Sequence, residues 1–390
     1  MGHTNAGESG RTVPARRPSR FALLILVLAG LLVPLLVAEA ALRVVAARLP
    51  GDFQTVSFLE AHPEFGRRNR PGSGWKKSAE FTSWIEINSK GLRGQEIDYA
   101  KPEGETRILV LGDSFTFAEQ VNQGETFAQR LEDRLNAERG GAHRVLNAGS
   151  NGWATANELV FLAKEGVRFS PDLVVVAFYV GNDVSDNYRR VATARDAEQA
   201  DLALRGVDSF EGPRRVLRRS MLYTVFESGV LAKLPWWTGD AGSDASLRRA
   251  PRNAGEAREA WDITAGLLDR ARDVAESRGA RFMVMLIPPA DVVATGTRRS
   301  DRDDEDDQVE SGLDQELPGF DDPHGTMAEI AAREGLAALD LLPSLRRQAA
   351  RSRQRLYYRV NAHWTALGHQ VAARELYDFI QERNLLPPRD

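Results

Sequence analysis

Four short stretches of this sequence carry residues suited to acyl chemistry. Gly112-Asp113-Ser114-Phe115 directly follows the apolar run Arg107–Leu111. A serine at a strand-to-helix turn exposes its hydroxyl at the carboxyl edge of a sheet. Its own N–H opens a helix, where it can help bind an oxyanion. The tripeptide alone is also an ordinary helix cap. Asn147-Ala148-Gly149-Ser150-Asn151-Gly152 follows a second short run, and Gly152 can bring a backbone N–H close to a substrate. Gly181-Asn182-Asp183 ends a third run, where the Asn182 amide can donate to the same oxyanion. Asn361-Ala362-His363-Trp364 stands before the last helical segment, and His363 is the one of six histidines best placed to act as a base toward Ser114. Asp113 and Asp183 read as braces of their own turns. Trp153 and Trp364 read as core residues or as faces for a sugar ring. His369, six residues beyond His363, falls on a different helix face and reads as structural.

The elements that must position these groups alternate. Short apolar runs at 107–111, 144–147, 172–180, 281–287 and 337–341 read as strands buried on both faces. Helical spacing recurs at 126–138, 156–167, 257–278 and 365–383. Strands alternating with helices predict a mainly parallel α/β sheet, with chemistry at the carboxyl ends of its strands. Before it, residues 48–105 read as a linker with one short strand, Trp84–Asn88, and a turn at Lys90-Gly91. Insertions are expected at 189–256, which holds Trp236-Trp237, and at 290–325. The acidic run 301–307 reads as a solvated loop, because it lacks the alternating ligands and turn glycine of a calcium site.

Taken in order, Ser114, Gly152, Asn182 and His363 resemble the signature of the SGNH (GDSL-type) hydrolase superfamily. The resemblance extends over about residues 106–385, and residues 86–93 (EINSKGLR) are similar to the segment preceding the catalytic domain in membrane-anchored bacterial members. It implies a flavodoxin-like three-layer α/β/α sandwich and a serine nucleophile acting on acyl esters, including O-acetyl groups of carbohydrates, by hydrolysis or transfer. No cofactor and no metal are implied. The sequence departs from the pattern at one position: relatives carry an aspartate shortly before the histidine, where this chain has Val360 and Asn361. Replacing such an aspartate in a serine-protease triad costs about 10⁴ in turnover. Three readings follow. Asn361 orients His363 in a slower site, a distant carboxylate such as Asp340 or Asp322 substitutes, or the site binds glycan without turnover.

Composition bounds the rest. The 390 residues include 51 basic and 55 acidic side chains, for a net charge of −4, which excludes the basic surplus of a dedicated nucleic-acid binder. The absence of cysteine excludes disulfides, thiolate metal sites and a cysteine-linked lipid anchor. Residues 21–38 form an eighteen-residue uncharged run, preceded by Arg11, Arg16, Arg17 and Arg20 against Glu8 alone. Such a run nearly spans a hydrocarbon core of about 30 Å, and the arginines place the N-terminus inside. Residues 1–20 are thus expected as a cytoplasmic tail, residues 21–47 as a membrane anchor, and residues 106–390 as the catalytic domain outside the cytoplasm. Cleavage at Ala38-Glu39-Ala40, as in a signal peptide, is the alternative.

Overall fold

A computed structural model describes residues 30, 32–41, 58–62, 65–191, 251, 253–294 and 322–388. Five parallel strands form the central sheet: β5 (Glu105–Gly112), β6 (Ala142–Gly149), β7 (Leu173–Tyr179), β8 (Arg281–Ile287) and β9 (Ala337–Asp340). Their spatial order is β6-β5-β7-β8-β9. Counted along the chain this is 2-1-3-4-5, the flavodoxin-like order, whose switch point lies between the first and third strands. Here that is the crevice at the carboxyl ends of β5 and β7.

The strands read as continuous apolar runs because both sheet faces are covered. Successive side chains point to opposite faces, and each face has its own core. On one, Leu109, Leu111, Val174, Val176, Val284 and Leu286 meet helices α3 (Thr155–Lys164), α5 (Ala254–Glu276) and α7 (Pro323–Glu334). On the other, Ile108, Val110, Val175, Met283 and Met285 meet α2 (Phe127–Glu138), α8 (Leu342–Arg351) and α9 (Ala366–Glu382). Burying each such aliphatic side chain contributes about 1.5–3 kcal/mol, so together the two faces fix the three-layer sandwich. Three short helices, α1 (Ser114–Phe117), α4 (Asp183–Val191) and α6 (Ala290–Ala294), start at strand ends.

The stretch expected as a linker with one strand carries two antiparallel hairpins instead, β1 (Leu59–His62) with β2 (Gly66–Asn69) and β3 (Gly72–Lys77) with β4 (Thr82–Ile87). β4 is the strand expected from its alternation, but β2 and β3 are short and polar (GRRN, GSGWKK) and lack the apolar period that marks a strand in sequence. They are held through side chains. Asn69 Nδ2 donates to Gly149 O at 2.7 Å, and the Trp153 indole donates to Arg67 O at 2.8 Å. The Asn88–Arg93 stretch is an Asx turn: Asn88 Oδ1 accepts from Lys90 N and Leu92 N, both at 3.0 Å. It delivers Arg93 to the interior, where its guanidinium donates to the carbonyls of Phe117, Ala118 and Val121 at the end of α1. Burial pushes the Arg93 pKa down to about 9.

Most of the expected anchor, residues 21–47, lies outside the described residues, as does most of both expected insertions, Trp236-Trp237 and the run 301–307 included. Residues 32–41 are helical, with Leu32, Val33, Leu35, Leu36 and Val37 exposed. Among the described residues, no helix is long and apolar enough to cross a membrane.

Candidate active site

Ser114 is the first residue of α1, immediately beyond β5. Two glycines let that helix sit directly on the strand ends. A Cβ at Gly112 would come within 2.2 Å of Thr116 Oγ1, and one at Gly149 within 2.4 Å of Phe117 N. Asp113 is buried and caps α1, accepting from Phe115 N at 2.8 Å. As first helical residue, Ser114 keeps an N–H that no intrahelical carbonyl can reach.

His363 reaches the same point from the far end of the chain. Its Nε2 lies 2.7 Å from Ser114 Oγ, and its Nδ1 lies 2.9 Å from the main-chain carbonyl oxygen of Asn361. Asn361 is thus the residue at the imidazole, as the first of the three readings has it, but it acts through its main-chain carbonyl and not its side-chain amide. Asn361 Oδ1 itself is buried and has no hydrogen-bond partner among the described residues. A main-chain carbonyl only accepts, so Nδ1 must carry the proton and Nε2 is left with its lone pair toward the serine. That is the tautomer a general base needs. Asp340 and Asp322 do not substitute, being engaged elsewhere. Asp340 accepts from Leu342 N at 2.8 Å and approaches His324, while Asp322 caps α7.

The imidazole stacks on Phe115, ring centroids 4.6 Å apart. Burial lowers the His363 pKa, opposed by the bond to Asn361 O and by the charge of Glu119. Glu119, just beyond α1, is ion-paired with Lys76 at 3.2 Å and accepts from Asn151 Nδ2 at 3.0 Å. No motif marked it, because it lies in an irregular turn and acts through space.

Gly152 and Asn182 leave the two strands flanking β5. Gly112 pairs with Gly149 of β6 and with Ala177 of β7, so all three loops rise side by side. Ser150 N donates to Gly112 O at 3.0 Å and stitches the first two together. Gly152 has φ of +74°, and Arg190 Nη2 donates to its carbonyl at 3.2 Å. Asp183 fixes its turn by accepting from Tyr179 N at 2.9 Å. Trp153 and Trp364 are core residues, 2% and 0% exposed, and neither offers a face to a sugar. His369 is buried on α9, its Nδ1 accepting from Phe127 N at 3.4 Å.

A serine hydroxyl at the switch point of a 2-1-3-4-5 sheet, hydrogen-bonded to a C-terminal histidine of the right tautomer, is the geometry of a serine-dependent esterase or acyltransferase. The family model described as "SGNH hydrolase-like domain, acetyltransferase AlgX" matches residues 247–390, less than half of the chain, a span that includes His363 but not Ser114. Among solved structures it is similar to a lipase/acylhydrolase from Enterococcus faecalis, with 16% identity, 73% of this chain and 99% of that chain covered, and a TM-score of 0.40. It is also similar to the esterase EstA from Pseudoalteromonas sp., with 13% identity, coverage of 72% and 98%, and a TM-score of 0.37. A third, an acetyl xylan esterase, has 10% identity, coverage of 70% and 98%, and a TM-score of 0.37. No curated protein matches the sequence.

Proposed function

We propose that this chain is a serine-dependent ester hydrolase acting outside the cytoplasm on O-acyl, chiefly O-acetyl, esters of a cell-envelope or exported glycan. Residues 21–47 hold it in the cytoplasmic membrane with the N-terminus inside. The observation that carries the reading is the 2.7 Å contact between His363 Nε2 and Ser114 Oγ, with Nδ1 committed to a carbonyl.

In this reading Ser114 Oγ attacks the ester carbonyl while its proton passes to Nε2. The developing oxyanion is met by the N–H groups of Ser114 and Gly152 and by the Asn182 side-chain amide. The imidazolium then protonates the departing sugar oxygen, leaving an acyl-serine. Water, deprotonated by the same nitrogen, releases the acid and restores Ser114. No step needs a metal or a cofactor. A second reading, transfer of the acyl group to a sugar hydroxyl, is favoured by the acetyltransferase named in the family description. It differs only in which hydroxyl attacks the acyl-serine.

The test uses the full chain, p-nitrophenyl acetate and a fluorophosphonate probe. Hydrolysis and labelling are both expected, and both disappear in Ser114→Ala. Undiminished activity in that variant overturns the nucleophile. A folded chain that neither hydrolyses nor labels supports a glycan-binding module instead. Added oligosaccharide that emerges acetylated, at the expense of free acetate, selects transfer.

A further inference from the structure

Glu80 lies in the turn between β3 and β4, remote in sequence from the base. Its carboxylate collects three consecutive main-chain N–H groups. Oε1 accepts from Arg359 N at 2.6 Å and Val360 N at 3.0 Å, and Oε2 accepts from Asn361 N at 2.7 Å. Next to it, the Phe81 ring stands 5.3 Å from that of Tyr358. The turn so gripped is the one that supplies the acceptor for His363 Nδ1. It is closed at its base by Tyr358 N donating to His363 O at 2.8 Å, and Ala362 within it has φ of +58°. Its apex is open to solvent, with Val360 82% exposed.

In a triad with an aspartate, a side chain holds the imidazole. Here a main-chain carbonyl does, so the orientation of the ring is only as well defined as the backbone of residues 359–362. Hydrogen bonds to a charged acceptor are about twice as strong as neutral ones, and three of them from successive N–H groups fix that backbone. We propose that Glu80 is a positioning residue of the active site: it pins the turn 359–362 so that Asn361 O aligns His363 on Ser114. The hairpin β3–β4 is then part of the site, and the proposal rests on the catalytic reading above.

The experiment compares Glu80→Ala and Glu80→Gln with the parent full chain, measuring kcat, KM and the pH profile of kcat/KM on p-nitrophenyl acetate. The thermal midpoint and the titration of the His363 ring by NMR are followed alongside. The ionisable groups that act on that ring are Glu119 after α1 and His369 on α9, while Glu80 holds the backbone ahead of it. A base displaced by about 1 Å loses about 10²-fold in rate. Glu80→Ala is expected to lower kcat by about that factor with KM within about twofold, and Glu80→Gln, which keeps one acceptor oxygen, by about tenfold. The bond to Asn361 O raises the His363 pKa, so loosening it moves the acidic limb and the NMR titration to lower pH. A folded Glu80→Ala with parental kcat and parental His363 titration overturns the proposal. If Glu80→Ala does not fold, an unchanged Glu80→Gln overturns it. The NMR titration needs no turnover, so an inactive, unlabelled parent defeats the catalytic reading while Glu80 is still judged by the ring.

Discussion

The base of this site is oriented by an atom that every residue carries. A main-chain carbonyl has one advantage over an asparagine side chain: it cannot flip and donate. An Asn361 amide turned toward Nδ1 would force the opposite tautomer and take the proton acceptor away from Ser114, the fault that makes an asparagine triad slow. Because the side chain is not the partner, its loss is expected to be tolerated. Asn361→Ala should keep kcat/KM within a few-fold of the parent on p-nitrophenyl acetate. A fall approaching about 10⁴-fold would show that the side chain, not the backbone, orients His363. The same contact shows what the sequence could reveal. Ser114 and His363, which the structure brings into contact, stand out in the sequence because each has a distinctive residue type at a strand end or before a helix. The acceptor for Nδ1 left no trace in residue type. Neither did Glu80 or Glu119, acids in turns whose partners lie far away along the chain.

Among the elements, the five core strands and their long helices were legible for the opposite reason. Burial on both faces demands unbroken apolar runs, and helices lying on the sheet show a 3.6-residue period. Of the hairpins ahead of them only β4 shows a period, its Ile85 and Ile87 packing with Phe58 and Phe117; the other strands rest on polar contacts such as Asn69 to Gly149 O, which no period encodes. The tight element contact at the site is α1 on β6, and it sets a sharp steric limit. A methyl group at Gly149 would meet the backbone of α1 at 2.4 Å, which no side-chain rotation can relieve. Gly149→Ala is expected to destabilise by about 1–3 kcal/mol in denaturant unfolding and to abolish fluorophosphonate labelling as Ser114 shifts. Gly266, exposed within α5 with nothing within 4 Å of an added Cβ, is the internal comparison. Gly266→Ala should stabilise by up to about 1 kcal/mol with labelling intact. Equal behaviour of the two variants would refute the close approach of α1 to the strand ends.

At the scale of the whole molecule, the reactive edge of the sheet is built over buried acid. Asp113 after β5, Glu158 on α3 and Asp183 on α4 are each at most 1% exposed, and both Glu158 oxygens lack a hydrogen-bond partner among the described residues. Burial raises all three: Asp113 to about 7, helped by the charge of Asp186, and Glu158 and Asp183 well above their ordinary values of 4.5 and 3.8, helped by the charge of Asp113. A carboxyl whose folded pKa exceeds its unfolded one binds its proton more tightly in the native state. The stability this gives is complete below the unfolded values near 4 and is lost as pH rises from there through the folded values, the loss from Asp113 being complete once pH passes about 7. An amide at position 158 cannot ionise and relieves the repulsion on Asp183. Subtracting the parental melting temperature from that of Glu158→Gln should therefore give a difference that grows more positive between about pH 5 and about pH 8. The constant cost of burying an amide shifts that difference but not its slope, so a difference independent of pH would mean that these carboxyls do not exchange protons on unfolding. The slope matters for function as well, since Asp113 caps the helix that begins with Ser114. Charging the acid cluster loosens the fold at the site first, so fluorophosphonate labelling in the parent should fail at high pH before global unfolding and should persist further in Glu158→Gln.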